Sequence, residues 1–131
     1  MANTSGFRDK TVIITGASSG LGAALASAFA EAGANLSLFS FEKERQEEVA
    51  DDLRQRGARV SVTIGDVTKP DDCQRLVEAT VSEFGGVDYL IANAGISMWA
   101  RFEDIKDLAV MKKLVDVNYL GAVNCVHYAL P

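Results

Sequence analysis

The sequence predicts a doubly wound α/β fold, a parallel sheet with helices on both faces. Short runs rich in β-branched residues alternate with stretches of helical period in the order β-α-β-α-β-α-β-α. No hairpin signal joins neighbouring strands, and the connections are short, so the strands are expected to run parallel through right-handed crossovers.

Thr11-Val12-Ile13-Ile14-Thr15 opens the series, a strand bounded by Lys10 and Gly16. From Leu21 the spacing changes to four, with Leu21, Leu25 and Phe29 in an Ala-rich segment that predicts a helix stopping at Gly33. Asn35 to Phe39 is the second strand. Glu42 to Arg56 carries only Val49 and Leu53 at i, i+4 and predicts a largely exposed helix closed by Gly57. In the third strand Val60, Val62 and Ile64 alternate with Ser61 and Thr63, a one-sided pattern that places it at a sheet edge. Asp71 and Asp72, beside the positive end of the dipole, open a third helix with Leu76, Val77, Val81 and Phe84 inward, terminated by Gly85-Gly86. Val87 to Ala92 is a fourth strand. Asp104 to about Leu130 reads as one long helix with Met111, Leu114, Val115, Tyr119 and Ala122 on a common face, ending near Pro131.

A chain of 131 residues suits one domain and leaves no room for a second core of similar size. Its composition, 48% hydrophobic and 24% charged with 2 Pro, is globular rather than disordered or fibrous. Lys and Arg number 13 against 18 Asp and Glu, and nowhere do the basic residues cluster, so nucleic acid is not expected as a partner. Cys73 and Cys125 cannot build a disulfide framework and neither lies in a C-x-x-C, which points to a reducing compartment. The opening residues MANTSGFRDK lack the apolar core of a signal peptide, and no run approaches the ~18 apolar residues of a membrane span. The expectation is a soluble, cytoplasmic protein with no membrane partner.

The chemistry concentrates where the first strand becomes the first helix, at Thr15-Gly16-Ala17-Ser18-Ser19-Gly20-Leu21-Gly22. In this fold class that junction lies at the carboxyl edge of the sheet, where the helix N-terminus presents unpaired N–H groups and partial positive charge. A diphosphate suits it. Gly16 permits the tight turn, Gly20 lets phosphate approach the backbone and Gly22 lets the helix pack closely on the sheet, while Ser18 and Ser19 offer hydroxyl donors. The same residues also make an ordinary strand-to-helix turn. A P-loop is excluded, because Gly22 is followed by Ala23-Ala24 rather than Lys-Ser or Lys-Thr.

The spacing Gly16-x-x-x-Gly20-x-Gly22 resembles the TGxxxGxG of the short-chain dehydrogenase/reductase family. Three further signatures stand in that family's order: Gly65-Asp66-Val67 after the third strand, Asn93-Ala94-Gly95 after the fourth, and Asp116-Val117-Asn118-Tyr119-Leu120-Gly121 in the last helix. The resemblance implies a single Rossmann-type NAD(P)-binding domain over residues 1–131, the N-terminal half of the family's fold, truncated after about four strands. It implies that Asp66 accepts a hydrogen bond from the adenine amine, although Asp66 in Gly-Asp-Val-Thr equally suits its own turn, and that Val67 walls the ring. By the same resemblance Asn93, Ala94 and Gly95 line the nucleotide from below, Gly95 letting the ribose pass and Asn93 tying the central strands together. Leu21 belongs to the same cofactor edge.

Asn118 falls four residues from both Leu114 and Ala122, so its amide is expected to point toward apolar surroundings and to need partners. The matching Asn of the family stabilises a helix irregularity that holds a water of the proton relay, which makes Asn118 the one catalytic residue the resemblance assigns. At the end of the second strand, where the family separates NAD from NADP, stand Ser40-Phe41-Glu42-Lys43. Neither the usual Asp nor the usual Arg is present. Ser40, with Lys43 or Arg45, tilts the balance slightly to NADP, and Glu42 opposes it.

Hydride transfer to a carbonyl needs a general acid with a cation beside it. The family supplies these as Tyr-x-x-x-Lys with a Ser, and no Tyr-x-x-x-Lys occurs in these 131 residues. The resemblance therefore implies an oxidoreductase acting on an alcohol or ketone, present as its nucleotide-binding half and inactive alone. The alternative is a non-catalytic nucleotide-binding or interaction module on the same platform. The unpaired edge of the fourth strand leads to an expectation of homo-oligomers. His127, the single histidine, excludes a zinc cluster or a Ser-His-Asp triad within the chain. Cys73 is expected to pack passively, and Ser97-Met98-Trp99 to stand in a loop at the cofactor edge.

Overall fold

The computed structural model describes residues 5–131. Four strands, β1 (Thr11–Thr15), β2 (Asn35–Ser40), β3 (Arg59–Ile64) and β4 (Tyr89–Ile91), form one sheet in the order β3-β2-β1-β4. Every pairing is parallel, with Thr11 beside Asn35, Leu36 beside Val60 and Ile13 beside Leu90. The helices are α1 (Gly20–Glu31), α2 (Lys43–Gln55), α3 (Pro70–Phe84), α4 (Ala109–Val115) and α5 (Gly121–Ala129). A single π-turn, Asp116–Leu120, joins the last two without a break. No described helix is long and apolar enough to cross a membrane.

The period of two along a strand divides the core into two layers. Val12, Ile14, Leu36 and Leu38 pack on one face with Ala26 of α1 and Ala50 and Leu53 of α2. Ile13 and Phe39 pack on the other with Cys73 and Leu76 of α3 and Cys125 of α5. Each large side chain so covered contributes about 1.5–3 kcal/mol. Because both faces are covered, β1 and β2 are buried at every residue, the polar Asn35, Ser37 and Ser40 of β2 included.

Several expected faces turn out differently. Gln46 and Ala50 join Leu53 as the buried residues of α2, with Val49 partly buried against the same cluster. β3 is an edge strand as expected, yet Thr63 is its most buried residue, because α3 covers the polar face that the alternation assigned to solvent. On α3 the inward row is Cys73, Leu76 and Thr80, while Val81 is 45% exposed. Thr80 is accommodated there because its hydroxyl pairs with Ser37 Oγ at 2.6 Å and donates to the Leu76 carbonyl at 2.7 Å. β4 is three residues long rather than six.

The long final helix begins at Ala109, after a 3-10 turn at Phe102–Asp104, and the expected common face does not persist along it. Val115 and Tyr119 are exposed, and Gly121 and Cys125 are buried instead. The π-turn explains the change: one extra residue in a turn rotates every later side chain away from a constant 3.6-residue period.

Candidate functional site

Between the end of β1 and the start of α1, Gly16 adopts φ +65° and Gly20 φ +53°. A Cβ on Gly16 would lie 2.9 Å from Ala94 Cα, so the turn packs directly on the segment after β4. A Cβ on Gly22 would lie 2.1 Å from the Gly16 carbonyl oxygen and 2.7 Å from Asn93 Nδ2. Gly22 therefore lets α1 approach the carboxyl edge of the sheet, where it meets the Gly16 turn and Asn93. Around Gly20 nothing lies within 4 Å of a built Cβ, which leaves its backbone open on that side. Ser18 is nearly buried and Ser19 exposed, and the Ser19 hydroxyl does not cap α1. The first-turn amides of α1 keep no side-chain acceptor from the cap position, the arrangement that favours an anion.

Beneath the turn, Gln46 is fully buried and donates from Nε2 to the Ala17 carbonyl at 3.3 Å. Its Oε1 is buried and has no partner among the described residues. Nothing in the sequence analysis singled out Gln46; the available signal was its position four residues before Ala50 and seven before Leu53, on one helix face.

Asn93 joins the strands at the carboxyl edge. Its Nδ2 donates to the carbonyls of Thr15 (3.2 Å) and Gly16 (3.3 Å), while Thr15 Oγ1 accepts the backbone N–H groups of Asn93 (3.1 Å) and Ala94 (3.0 Å). Asn118 is not in apolar surroundings as expected. It is exposed, within the π-turn, and forms a two-way pair with the backbone of Ile96: Oδ1 accepts the Ile96 N–H and Nδ2 donates to the Ile96 carbonyl, both at 2.8 Å. Gly95 makes room for this pair, since a Cβ there would lie 3.2 Å from Asn118 Oδ1.

On the far side, Asp66 Oδ1 accepts both the Thr68 N–H (2.9 Å) and the Thr68 hydroxyl (2.8 Å), closing its own turn. The Asp66 N–H donates to Asp72 Oδ2 at 2.9 Å. That bond, with Arg75 beside it, holds the Asp72 carboxyl below its ordinary range against the opposing effect of burial. Val67 is buried. Cys73, below it, is pushed up by its contact with the Cys125 thiol and by burial, so it stays a neutral packing thiol. Ser40 is buried and its Oγ accepts the Glu42 N–H at 3.0 Å; Phe41 is exposed, and Arg45 pairs with Glu42 at 3.3 Å.

These parts border one cleft of about 490 Å³ at the carboxyl ends of the strands. Gly16, Ser18, Ser19, Leu21, Ser40, Phe41, Asp66, Val67, Asn93, Ala94 and Gly95 all line it. Gly22 and Asn118 stand behind the lining, shaping the turn or holding Ile96, and the exposed Gly20 sits between the lining residues Ser19 and Leu21. Ile96, Lys113 and Val117 also face the cleft and were not foreseen; they come from the loop after β4 and from the last helix, whose faces the π-turn resets. No group of three His, Cys, Asp or Glu suited to a metal occurs among the described residues.

A cleft running from an uncapped helix N-terminus past Gly-rich backbone to a carboxylate and an apolar wall suits an elongated ligand with a central diphosphate and a purine at one end. The family model for short chain dehydrogenase matches residues 10–131. The chain is 46% identical over 123 residues to the 11-beta-hydroxysteroid dehydrogenase 1A of Arabidopsis thaliana, covering 93% of this chain and 35% of that protein. Among solved structures it resembles a glucose/ribitol dehydrogenase of the short-chain type from Brucella melitensis (TM-score 0.89, 31% identity, 95% of this chain, 52% of that one). It also resembles the L-sorbose reductase of Gluconobacter frateurii, complexed with NADPH and L-sorbose (TM-score 0.89, 32% identity, 95% and 48%). The chain thus spans about a third of the first relative and about half of the other two.

Proposed function

The chain belongs to the short-chain dehydrogenase family, and from that premise we propose that these residues form the nicotinamide-dinucleotide site of an oxidoreductase acting on an alcohol or ketone. The observation that carries the reading is the continuity of the cleft, from Ser18, Ser19 and Leu21 at the uncapped start of α1, where the Gly20 backbone is open, to Asp66 and Val67. In it, the α1 amides and the Ser18 and Ser19 hydroxyls hold the diphosphate, Asp66 keeps Oδ2 as an acceptor for the adenine amine, and Val67 walls the ring. A nicotinamide dinucleotide held there would bring the hydride donor or acceptor. Asn118 orders the loop beside it by fixing both backbone groups of Ile96.

The dinucleotide is proposed to be NADP. NADPH in the sorbose reductase supports this, as does the engagement of Glu42 by Arg45, which offsets the one carboxylate near the ribose end. Within these 131 residues no Tyr-x-x-x-Lys supplies a general acid, so the polypeptide as it stands is proposed to bind dinucleotide without turning substrate over. The free edge of β4 and the exposed Val115, Tyr119 and Val123 support its self-association.

Titration with NADPH and NADH, followed by cofactor fluorescence, tests the reading. NADPH is expected to bind saturably and more tightly than NADH, and Gly20→Val to abolish binding by placing a side chain where phosphate meets backbone. Failure of the unsubstituted chain to bind either form refutes the site; equal affinities refute the choice of NADP.

A further inference from the structure

One face of α5 holds a single residue of the cleft wall. Asn124 donates from Nδ2 to the Val67 carbonyl at 2.9 Å, across 57 positions of sequence. The Cys73 thiol reaches the same carbonyl at 3.5 Å, and Cys125 of α5 backs it with its own sulfur 3.8 Å away. Three residues nearer the start of α5, Gly121 packs so closely that a Cβ there would lie 2.7 Å from Val67 Cγ2. Gly121, Asn124 and Cys125 stand at i, i+3 and i+4, which places them on one helix face.

Two donors engage both lone pairs of one carbonyl and so fix the orientation of the peptide that follows Val67. At the other end of the dipeptide, the Asp66 N–H is held by Asp72 at 2.9 Å. The backbone of Asp66-Val67 is therefore pinned from α3 at one end and from α5 at the other, while both residues line the cleft. Among the described residues Asn124 makes no other side-chain hydrogen bond. A half-buried Asn whose amide serves a carbonyl in a distant loop is there for that loop.

We infer that Asn124 is a positioning residue for the adenine end of the cleft, setting through Val67 the wall against which the purine lies. The inference rests on the dinucleotide reading above. It assigns Asn124 no contact with the ligand, and it makes Gly121 the small residue that lets α5 approach the wall.

AMP, which carries the purine end alone, is the probe, titrated against the unsubstituted chain and against Asn124→Asp, Asn124→Leu and Gly121→Ala. An ionised Asp at this position is nearly isosteric but faces the carbonyl without a donor. The AMP dissociation constant of Asn124→Asp is expected to rise about tenfold at pH 8, the effect of one lost polar contact. It should recover as the pH falls through the introduced carboxyl's range, which the facing carbonyl and half-burial raise, because the protonated carboxyl again donates to Val67. Asn124→Leu should lose affinity at every pH, and Gly121→Ala should lose it with all hydrogen-bonding groups intact. A purely structural role would shift the thermal midpoint and leave the AMP affinity of the folded variants unchanged at every pH. Folded Asn124 variants that bind AMP like the unsubstituted chain overturn the inference; should both unfold, unchanged AMP binding by Gly121→Ala overturns it. No AMP binding by the unsubstituted chain removes the dinucleotide reading itself, an outcome separate from either of these.

Discussion

The region around β1 and β2 and the region from residue 92 to 131 are held by different means. Every residue of β1 and β2 is buried, whereas beyond position 91 only Gly121 and Cys125 are. Apolar residues are plentiful in both, yet Trp99 is fully exposed and Tyr119 is 66% exposed. The first region is secured by close packing between sheet and helices. The second is attached largely through specific polar contacts: Asn93 and Thr15 at its start, Asn118 on Ile96 in its middle, Asn124 on Val67 near its end. A core tolerates no added volume, whereas a segment tied by a few bonds depends on those bonds and is indifferent to most other side chains.

The contrast breaks first at Gly22. A side chain 2.1 Å from the Gly16 carbonyl has nowhere to go without parting α1 from its turn. Gly22→Val is expected to cost roughly 4 kcal/mol or more, enough to abolish folding in many domains. Urea denaturation measures it, and a near-normal midpoint would show that the turn is looser than the packing implies.

A smaller effect is expected at Asp72, which joins the packed region to the cleft. Asp72→Asn replaces a charged acceptor of the Asp66 N–H and should cost about 1–3 kcal/mol at pH 7. The Asp72 carboxyl is held below its ordinary range in the folded chain, so its contribution is complete above the unfolded carboxyl's range and is lost as the pH falls through the lower, folded one. Denaturation at a series of pH values should show the unsubstituted chain and Asp72→Asn converging in strong acid. Parallel curves would remove Asp72 as the cause.

The smallest effect sharpens the comparison from the other side. Val115→Ser and Tyr119→Ser replace exposed side chains of the last helix, and at concentrations low enough to keep the polypeptide monomeric each is expected to change its stability by less than about 0.5 kcal/mol. At concentrations where the polypeptide self-associates as proposed, the loss should be several times larger, and an unchanged loss there would remove these residues from the contact.

Much of the cleft was legible because its parts are encoded by neighbours in the chain. The Gly16-Gly20-Gly22 spacing, the uninterrupted apolar run of β1 and the Asn93-Ala94-Gly95 turn each owe their form to backbone limits and short-range periodicity. Gln46 escaped notice because a glutamine in a strongly charged helix reads as one more solvated residue until the turn above it is in place. Thr63 and Thr80 escaped likewise, each made at home in the interior by a helix or a hydroxyl from another element. Asn118 was marked as needing partners, but its partner is an exposed loop backbone 22 positions earlier, which no pattern of spacing identifies.

The amino-acid order alone determined the succession of strands and helices, the parallel sheet and the glycine turn at the end of β1, because steric limits on the backbone and the alternation of apolar residues act over a few positions. Tertiary structure alone decided which sides of β3, α3 and the last helix face inward, where the π-turn resets the helical face, and that Val67 is gripped from α5. Those outcomes depend on groups brought together from tens of residues apart, where burial and hydrogen bonding, not local preference, set the energy.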